Sequence, residues 1–499
     1  MQLPPTGNNK KIKETETLLL NCAGLWMEAS AADFNGIPGD TVNITAQIIN
    51  RNGADIKLSR INFLQQTDTT TNLSLKHNEL FNFKHKEQLA ASLPYSSPYW
   101  LNEKHSEGLF TIKDPFIIGT PENNSSTIVT FYIDVNGLPL QIERPLVFKA
   151  TDPVKGEVYR PYEILPPATV DISEKVYVFS DATPKIIQFI IKANADNVSG
   201  TLQLSVPDTW ILSTKNNSFK LNKKGDEAIL EATLSAGNST GIAKLGASLS
   251  INNKFYNKSI QRIEYDHIPY QFILSDAEVK LVNVNLKKTE ATVGYIPGAG
   301  DEIPACLKQI GYDVTVLTDE MIGAGNLSRY STIVTGIRAY NTNNRLQSFH
   351  KKLMDYVTQG GNLVIQYNTN SRVGPVQANI GPYPFTISRD RVTDEKAEIR
   401  MIKPDHPALT FPNKITNKDF DGWIQERGIY FATELDKNYE TVLSLNDPGE
   451  KPSEGGIIIS KYGKGNFVYT GMAFFRELPA GVPGAYRLFV NLLSLPANK

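Results

Sequence analysis

The chain has 499 residues, of which 40% are hydrophobic and 21% charged, with a formal net charge of −1. That length exceeds one ordinary hydrophobic core and points to several domains. The near-neutral balance gives no reason to expect a nucleic acid or an anionic membrane surface as partner. No apolar run of about 18 residues is present, so no membrane span is expected.

Residues 1–13 are polar and read as a disordered tail. Lys10–Lys13 before Leu18-Leu19-Leu20 has the outline of a signal peptide. The apolar run is too short for one, and Glu14 and Glu16 interrupt it. From residue 14 to 165 the pattern is short alternating segments, and a β-sandwich is expected. Thr41–Ile48 alternates strictly behind the turn Pro38-Gly39-Asp40. Thr127–Ile133 is a second clear strand, followed by the hairpin signal Asn136-Gly137. Pro166-Pro167 marks a hinge. Residues 168–268 repeat strand signals at the spacing of an Ig-like sandwich, with Trp210 turned toward its core.

Near Lys280 the rhythm changes to strand–helix–strand. Strands are expected at Thr292–Ile296, Val314–Leu317, Thr332–Gly336 and Asn362–Gln366. Helices are expected from Asp301 to Gln309, over Leu346–Thr358 and over Gly484–Leu493. A hairpin turning at Gly463-Lys464-Gly465 joins two later strands. Such alternation implies a parallel sheet covered on both faces, with its own core, over residues 280–499. Cys22 and Cys306 fall in different units, so no disulfide is expected.

The chemistry-bearing residues are few. Pro297-Gly298-Ala299-Gly300-Asp301 follows the first strand of the α/β region, yet Asp301 and Glu302 would repel a phosphate, and a turn with a helix cap is the simpler reading. Cys306 lies mid-helix on an apolar face and reads as core. His406, in Asp405-His406-Pro407, has no histidine partner at metal-ligand spacing, so no metal and no cofactor are expected. A denser group is Asp419, Asp421, Trp423, Glu426 and Arg427, with Arg476 and Glu477. Ligands of open α/β sheets bind beyond the carboxyl ends of the strands, and Arg338, Tyr367 and Asn368 follow such ends. Arg338, Tyr367, Asn368, Asp421, Trp423, Glu426 and Arg476 are therefore expected to meet in one pocket, rings packing on sugar faces and charged groups binding hydroxyls. The alternative is a buried network that braces loops.

Three stretches carry a family resemblance: Gly336–Asn341, Asp419–Gly428 and Arg476–Arg487. With Cys22–Ala29, Pro94–Leu101 and Arg160-Pro161 they resemble the C-terminal part of long bacterial PIG-L (LmbE-like) deacetylases. The middle unit is similar to the Ig-like module beside some α-galactosidase catalytic domains. The last unit is similar to flavodoxin-like, class I glutamine-amidotransferase-like domains, in which the fourth strand leads to a nucleophilic Cys. Here Gln366-Tyr367-Asn368-Thr369 stands at that turn, which leaves no such nucleophile. The zinc motif of the PIG-L family, Ala-His-Pro-Asp-Asp-Glu with a later HxxH, does not occur in the chain. The resemblance implies a non-catalytic accessory region, binding glycan or positioning an N-terminal deacetylase domain, in the periplasm or outside the cell. Two alternatives are a hydrolase using Asp421, Glu426 or His406, and a structural spacer.

Overall fold

The computed structural model of the chain describes residues 5–64, 67–106, 108–370 and 379–496. A helix, Pro5–Ala23, comes first. It corrects the expected disordered tail at 1–13, of which residues 1–4 lie outside the described residues. Polar composition reads as disorder when nothing anchors it. Here Lys11 pairs with Glu14 at 2.7 Å, one turn on. Leu20 seats the helix in the core of the first sandwich.

The molecule is β-rich, its strands spread over several sheets. The first unit is an eight-stranded sheet folded over on itself. Its 15-residue strand, Leu138–Asp152, belongs to both leaves. Residues up to Pro145 pair with Ile128–Val135, and Leu146 onward pairs with Leu25–Ala31. Ile44 and Ile48 from one leaf and Leu58, Ile61 and Phe131 from the other fill one apolar cluster. Strand Thr41–Asn50 alternates buried and accessible positions, as its sequence does. Asn136 (φ 50°) and Gly137 (φ 85°) both take the left-handed region that a two-residue hairpin demands.

The second unit packs a four-stranded sheet on a six-stranded one around a shared core. Trp210 lies in that core, edge-on to Phe179 at 5.0 Å. The unit extends past the expected boundary at 268. Strand Glu278–Asn283 pairs with both Val176–Phe179 and Gly241–Ile251, and Asp266-His267-Ile268 only turns a hairpin between Lys258–Ile263 and Gln271–Asp276.

The last unit carries a seven-stranded sheet. Its first four strands are Thr292–Ile296, Asp313–Val316, Thr332–Thr335 and Asn362–Gln366. They run parallel with Gly465–Thr470, in the spatial order second, first, third, fourth, then Gly465–Thr470. Ile457–Tyr462 and Glu440–Thr441 complete the far edge antiparallel. Every residue of strands 332–335 and 362–366 is buried. The helices explain this: Ile303–Gln309 and Pro483–Leu493 cover one face, and His350–Thr358 covers the other.

The core of this unit is not separate, contrary to the sequence expectation. Val178, Val282 and Val284 of the second unit belong to the same apolar cluster as Cys306, Leu307 and Phe489. Gln309 closes the joint: its Oε1 accepts from Val178 N–H (2.9 Å) and its Nε2 donates to Val176 O (3.2 Å). A change of periodicity marks a change of element type, not an energetic boundary.

Candidate functional site

The turns after the third and fourth strands of the parallel sheet are stitched together. Arg338 N–H donates to Tyr367 O (2.8 Å), and Tyr340 N–H to Asn368 Oδ1 (2.9 Å). Asn341 Nδ2 donates to Thr369 O (3.1 Å). Asn368 also spends its Nδ2 on Gln366 O (3.1 Å) and is buried, so it braces the turn and offers nothing to a ligand. Arg338 sits at φ 55°, a conformation that disfavours any residue with a Cβ.

Tyr367 is the centre of the group that does converge. Its ring stacks on Tyr430 (5.7 Å, 12° between planes) and meets Phe475 at 5.3 Å. Burial pushes its hydroxyl above the usual range, while the charges of Arg338 and Arg476 pull it back and Glu426 pushes it up. Arg338 is joined to Tyr367 by the backbone bond above, and Arg476 reaches it through Phe475. Arg476 lies over the Phe475 ring at 4.9 Å and pairs with Glu426 at 3.0 Å. Four of the seven expected residues, Arg338, Tyr367, Glu426 and Arg476, are thus brought together above the carboxyl edge. Tyr430 and Phe475 were missed as site residues; no spacing rule links Tyr430 to Tyr367 across a long connection.

Trp423 does not join them. It is 3% exposed, packs on Phe420 and Phe474, and its indole N–H donates to Asp419 O (3.0 Å). Asp421 is exposed, and its charge acts on Arg427 rather than on the Tyr367 group. Trp423 belongs to a neighbouring bracing cluster. There Arg427 donates to Ala397 O (3.0 Å) and to Phe420 O. Asp419 caps the turn at Thr416 and pairs with Arg487 at 2.7 Å. Glu477 is fully buried, with both carboxyl oxygens facing Ile424 N–H (3.0 and 3.2 Å). Burial raises its pKa to about 8, against the pull of that N–H and of Arg427 and Arg476.

The other sequence candidates resolve into structure. Asp301 accepts from Tyr295 OH (2.6 Å), Ile303 N–H (3.1 Å) and Ile337 N–H (3.0 Å), so the glycine loop is a turn tied to its neighbour. Ala299 N–H is also used, donating to Ile337 O (2.8 Å). His406 caps a short helix through Nδ1, which accepts from Ala408 N–H (3.1 Å). Burial pushes the Cys306 thiol up to about 11, which makes it a poor nucleophile. Among the described residues, no three His, Cys, Asp or Glu side chains gather as a metal site requires. No helix among them is long and apolar enough to cross a membrane.

No protein-family model matches the chain, and no curated protein matches it. Among solved structures, the chain is similar to Escherichia coli α2-macroglobulin at 10% identity and TM-score 0.19, over 52% of this chain and 17% of that one. It is similar to red sea bream transglutaminase at 10% identity and TM-score 0.21, over 54% and 33%. A third likeness is to WR4, a Caenorhabditis elegans MSP family member, at 12% identity and TM-score 0.15, over 23% and 96%. The chain thus spans well under two thirds of the first two proteins.

Proposed function

We propose that this chain is a non-catalytic, glycan-binding accessory protein that works beside a zinc-dependent de-N-acetylase of the PIG-L (LmbE-like) kind. Its last unit is a flavodoxin-like, class I glutamine-amidotransferase-like scaffold whose nucleophile has been replaced. The strand order supports that scaffold: counting along the chain through the parallel strands, it is the 2-1-3-4-5 order of flavodoxin-like sheets. The link to the deacetylase rests on the sequence resemblance. The observation that carries the binding role is the group of Tyr367, Tyr430 and Phe475 with Arg338, Arg476 and Glu426, in which Tyr430, Phe475, Arg338 and Arg476 are partly exposed, at the sheet edge where such scaffolds bind ligands. Flat rings pack on the apolar face of a sugar, and fixed charged groups read its hydroxyls. A hydrolase is less well supported, because Glu426 is held by Arg476, His406 caps a helix and the Asp421 charge acts on Arg427.

The test is thermal melting of the full chain against neutral and acidic mono- and disaccharides. A sugar should raise the melting temperature, and Tyr367→Phe combined with Arg476→Gln should remove the rise. No shift with any sugar, or a shift that survives the double substitution, rejects the reading.

A further inference from the structure

We infer that the ligand of this site is an acidic sugar whose carboxylate is taken by Arg338; the inference rests on the glycan-binding reading above. Three charged side chains act on the Tyr367 hydroxyl: Arg338, Glu426 and Arg476. Glu426 and Arg476 neutralise each other at 3.0 Å. Arg338 is left over. Among the described residues no carboxylate comes within ion-pair distance of it, and its buried Nε has no hydrogen-bond acceptor. Buried donors are almost always satisfied, because leaving one unmade forfeits its hydration without return. An acceptor supplied from outside the chain resolves the omission.

The backbone gives a second, independent reason. Arg338 holds φ 55°, which glycine or asparagine adopts at far less strain. The position is nonetheless tightly fixed: its N–H donates to Tyr367 O (2.8 Å), and its carbonyl accepts from Asn341 N–H (2.9 Å) and Thr342 N–H (3.0 Å). A strained, immobilised turn aims a side chain, and here the side chain is a guanidinium without a partner. Guanidinium matches a carboxylate through two parallel N–H donors, a geometry lysine does not offer. One unpaired positive charge matches one negative charge. That favours a monoanionic uronate over a sugar phosphate monoester, which carries close to two. The partly exposed rings of Tyr430 and Phe475 beside it suit the pyranose ring, and the Tyr367 hydroxyl, which burial keeps protonated, is available to donate.

Titration calorimetry of the full chain with D-glucuronate, D-glucose, glucose 6-phosphate and acetate tests this. Glucuronate should bind about tenfold or more tightly than glucose, the worth of one charge-assisted pair. It should also exceed glucose 6-phosphate, and acetate alone should bind far more weakly. Arg338→Gln should lower glucuronate affinity about tenfold more than glucose affinity, which erases the preference for glucuronate, and Arg338→Lys should restore only part of it. Equal affinity for glucuronate and glucose overturns the acidic-sugar inference and leaves the glycan reading standing. Stronger binding of glucose 6-phosphate overturns it in favour of a phosphate ester. Acetate binding as tightly as glucuronate overturns it in favour of a bare anion site. Absence of binding by every sugar overturns both readings.

Discussion

Trp423 is the sharpest point at which bracing and binding part company. Its side chain is 3% exposed, between Phe420 at 5.7 Å and Phe474 at 6.0 Å, and its N–H satisfies the carbonyl of buried Asp419. Trp423→Ala removes the ring from a close-packed site, which costs about 3–5 kcal/mol. It also leaves the Asp419 carbonyl without its donor, adding about 1 kcal/mol. The expected loss is therefore about 4–6 kcal/mol. Trp423→Phe keeps most of the packing and loses the N–H, and should cost about 1–2 kcal/mol. Urea unfolding is the assay, with hydrogen exchange at amides of the buried strand Gly465–Thr470 to tie the change to this unit, since a chain of several units need not unfold in one step. The Phe variant, which folds, should keep the sugar-induced thermal shift. A loss below about 1 kcal/mol in Trp423→Ala, together with a vanished sugar response, would refute the bracing role.

Glu477 gives a pH test. Its folded pKa of about 8 stands above the ordinary 4.5, so the folded state binds the extra proton between those values and stability falls as pH rises through that window. Glu477→Gln keeps an acceptor for Ile424 N–H and should gain about 3 kcal/mol on the parent between pH 5 and pH 8, read from urea midpoints; an unchanged difference contradicts the buried-carboxyl account. Gly484→Ala places a Cβ 1.8 Å from Asp419 O, so the closing helix must shift, at about 2–3 kcal/mol by thermal melting; a neutral result shows that the helix start moves freely. Val178→Asp buries a charge in the cluster shared by the last two units and should separate their melting in calorimetry, whereas a parent in which those two units already melt apart refutes the shared core. The purified chain should neither hold stoichiometric zinc nor deacetylate N-acetylglucosamine derivatives, because the ligand set is missing from its sequence; about one zinc per chain with chelator-sensitive activity would overturn this.

What the sequence made legible was local. Alternation set Thr41–Asn50, Asn136-Gly137 set the hairpin of Ile128–Val135 with Leu138–Asp152, and the strands near 292, 314, 332 and 362 stand where apolar runs end in turn residues. Long-range facts were not legible. Helix Pro5–Ala23 looked disordered because the contact that anchors it, Leu20 in the first sandwich, leaves no trace in neighbouring residues. Strand Glu278–Asn283 completes a sheet begun about a hundred residues earlier, so a boundary at 268 came from a turn signal that was only a hairpin. At the site, strand ends placed Arg338 and Tyr367, because that rule is topological. Trp423 and Asp421 were grouped with them by proximity in sequence to Glu426. Yet Glu426 and Trp423 face different neighbours, Arg476 and Phe474 respectively, a distinction set by packing alone.

The two junctions between units differ in kind, and this gives the molecule a mechanical grain. Gln309 and the shared valines weld the second unit to the third. Between the first and second, the Arg160 guanidinium lies between the rings of Phe34 and Tyr270 (4.6 and 3.6 Å), flanked by the Lys224–Asp33 pair at 2.7 Å and a small apolar contact around Leu165. A joint made largely of charge and ring contacts loosens with ionic strength, and a joint made of packed valines does not. Raising salt should therefore weaken the first joint more than the second. The last two units would then turn as one body on a joint that ionic strength tunes.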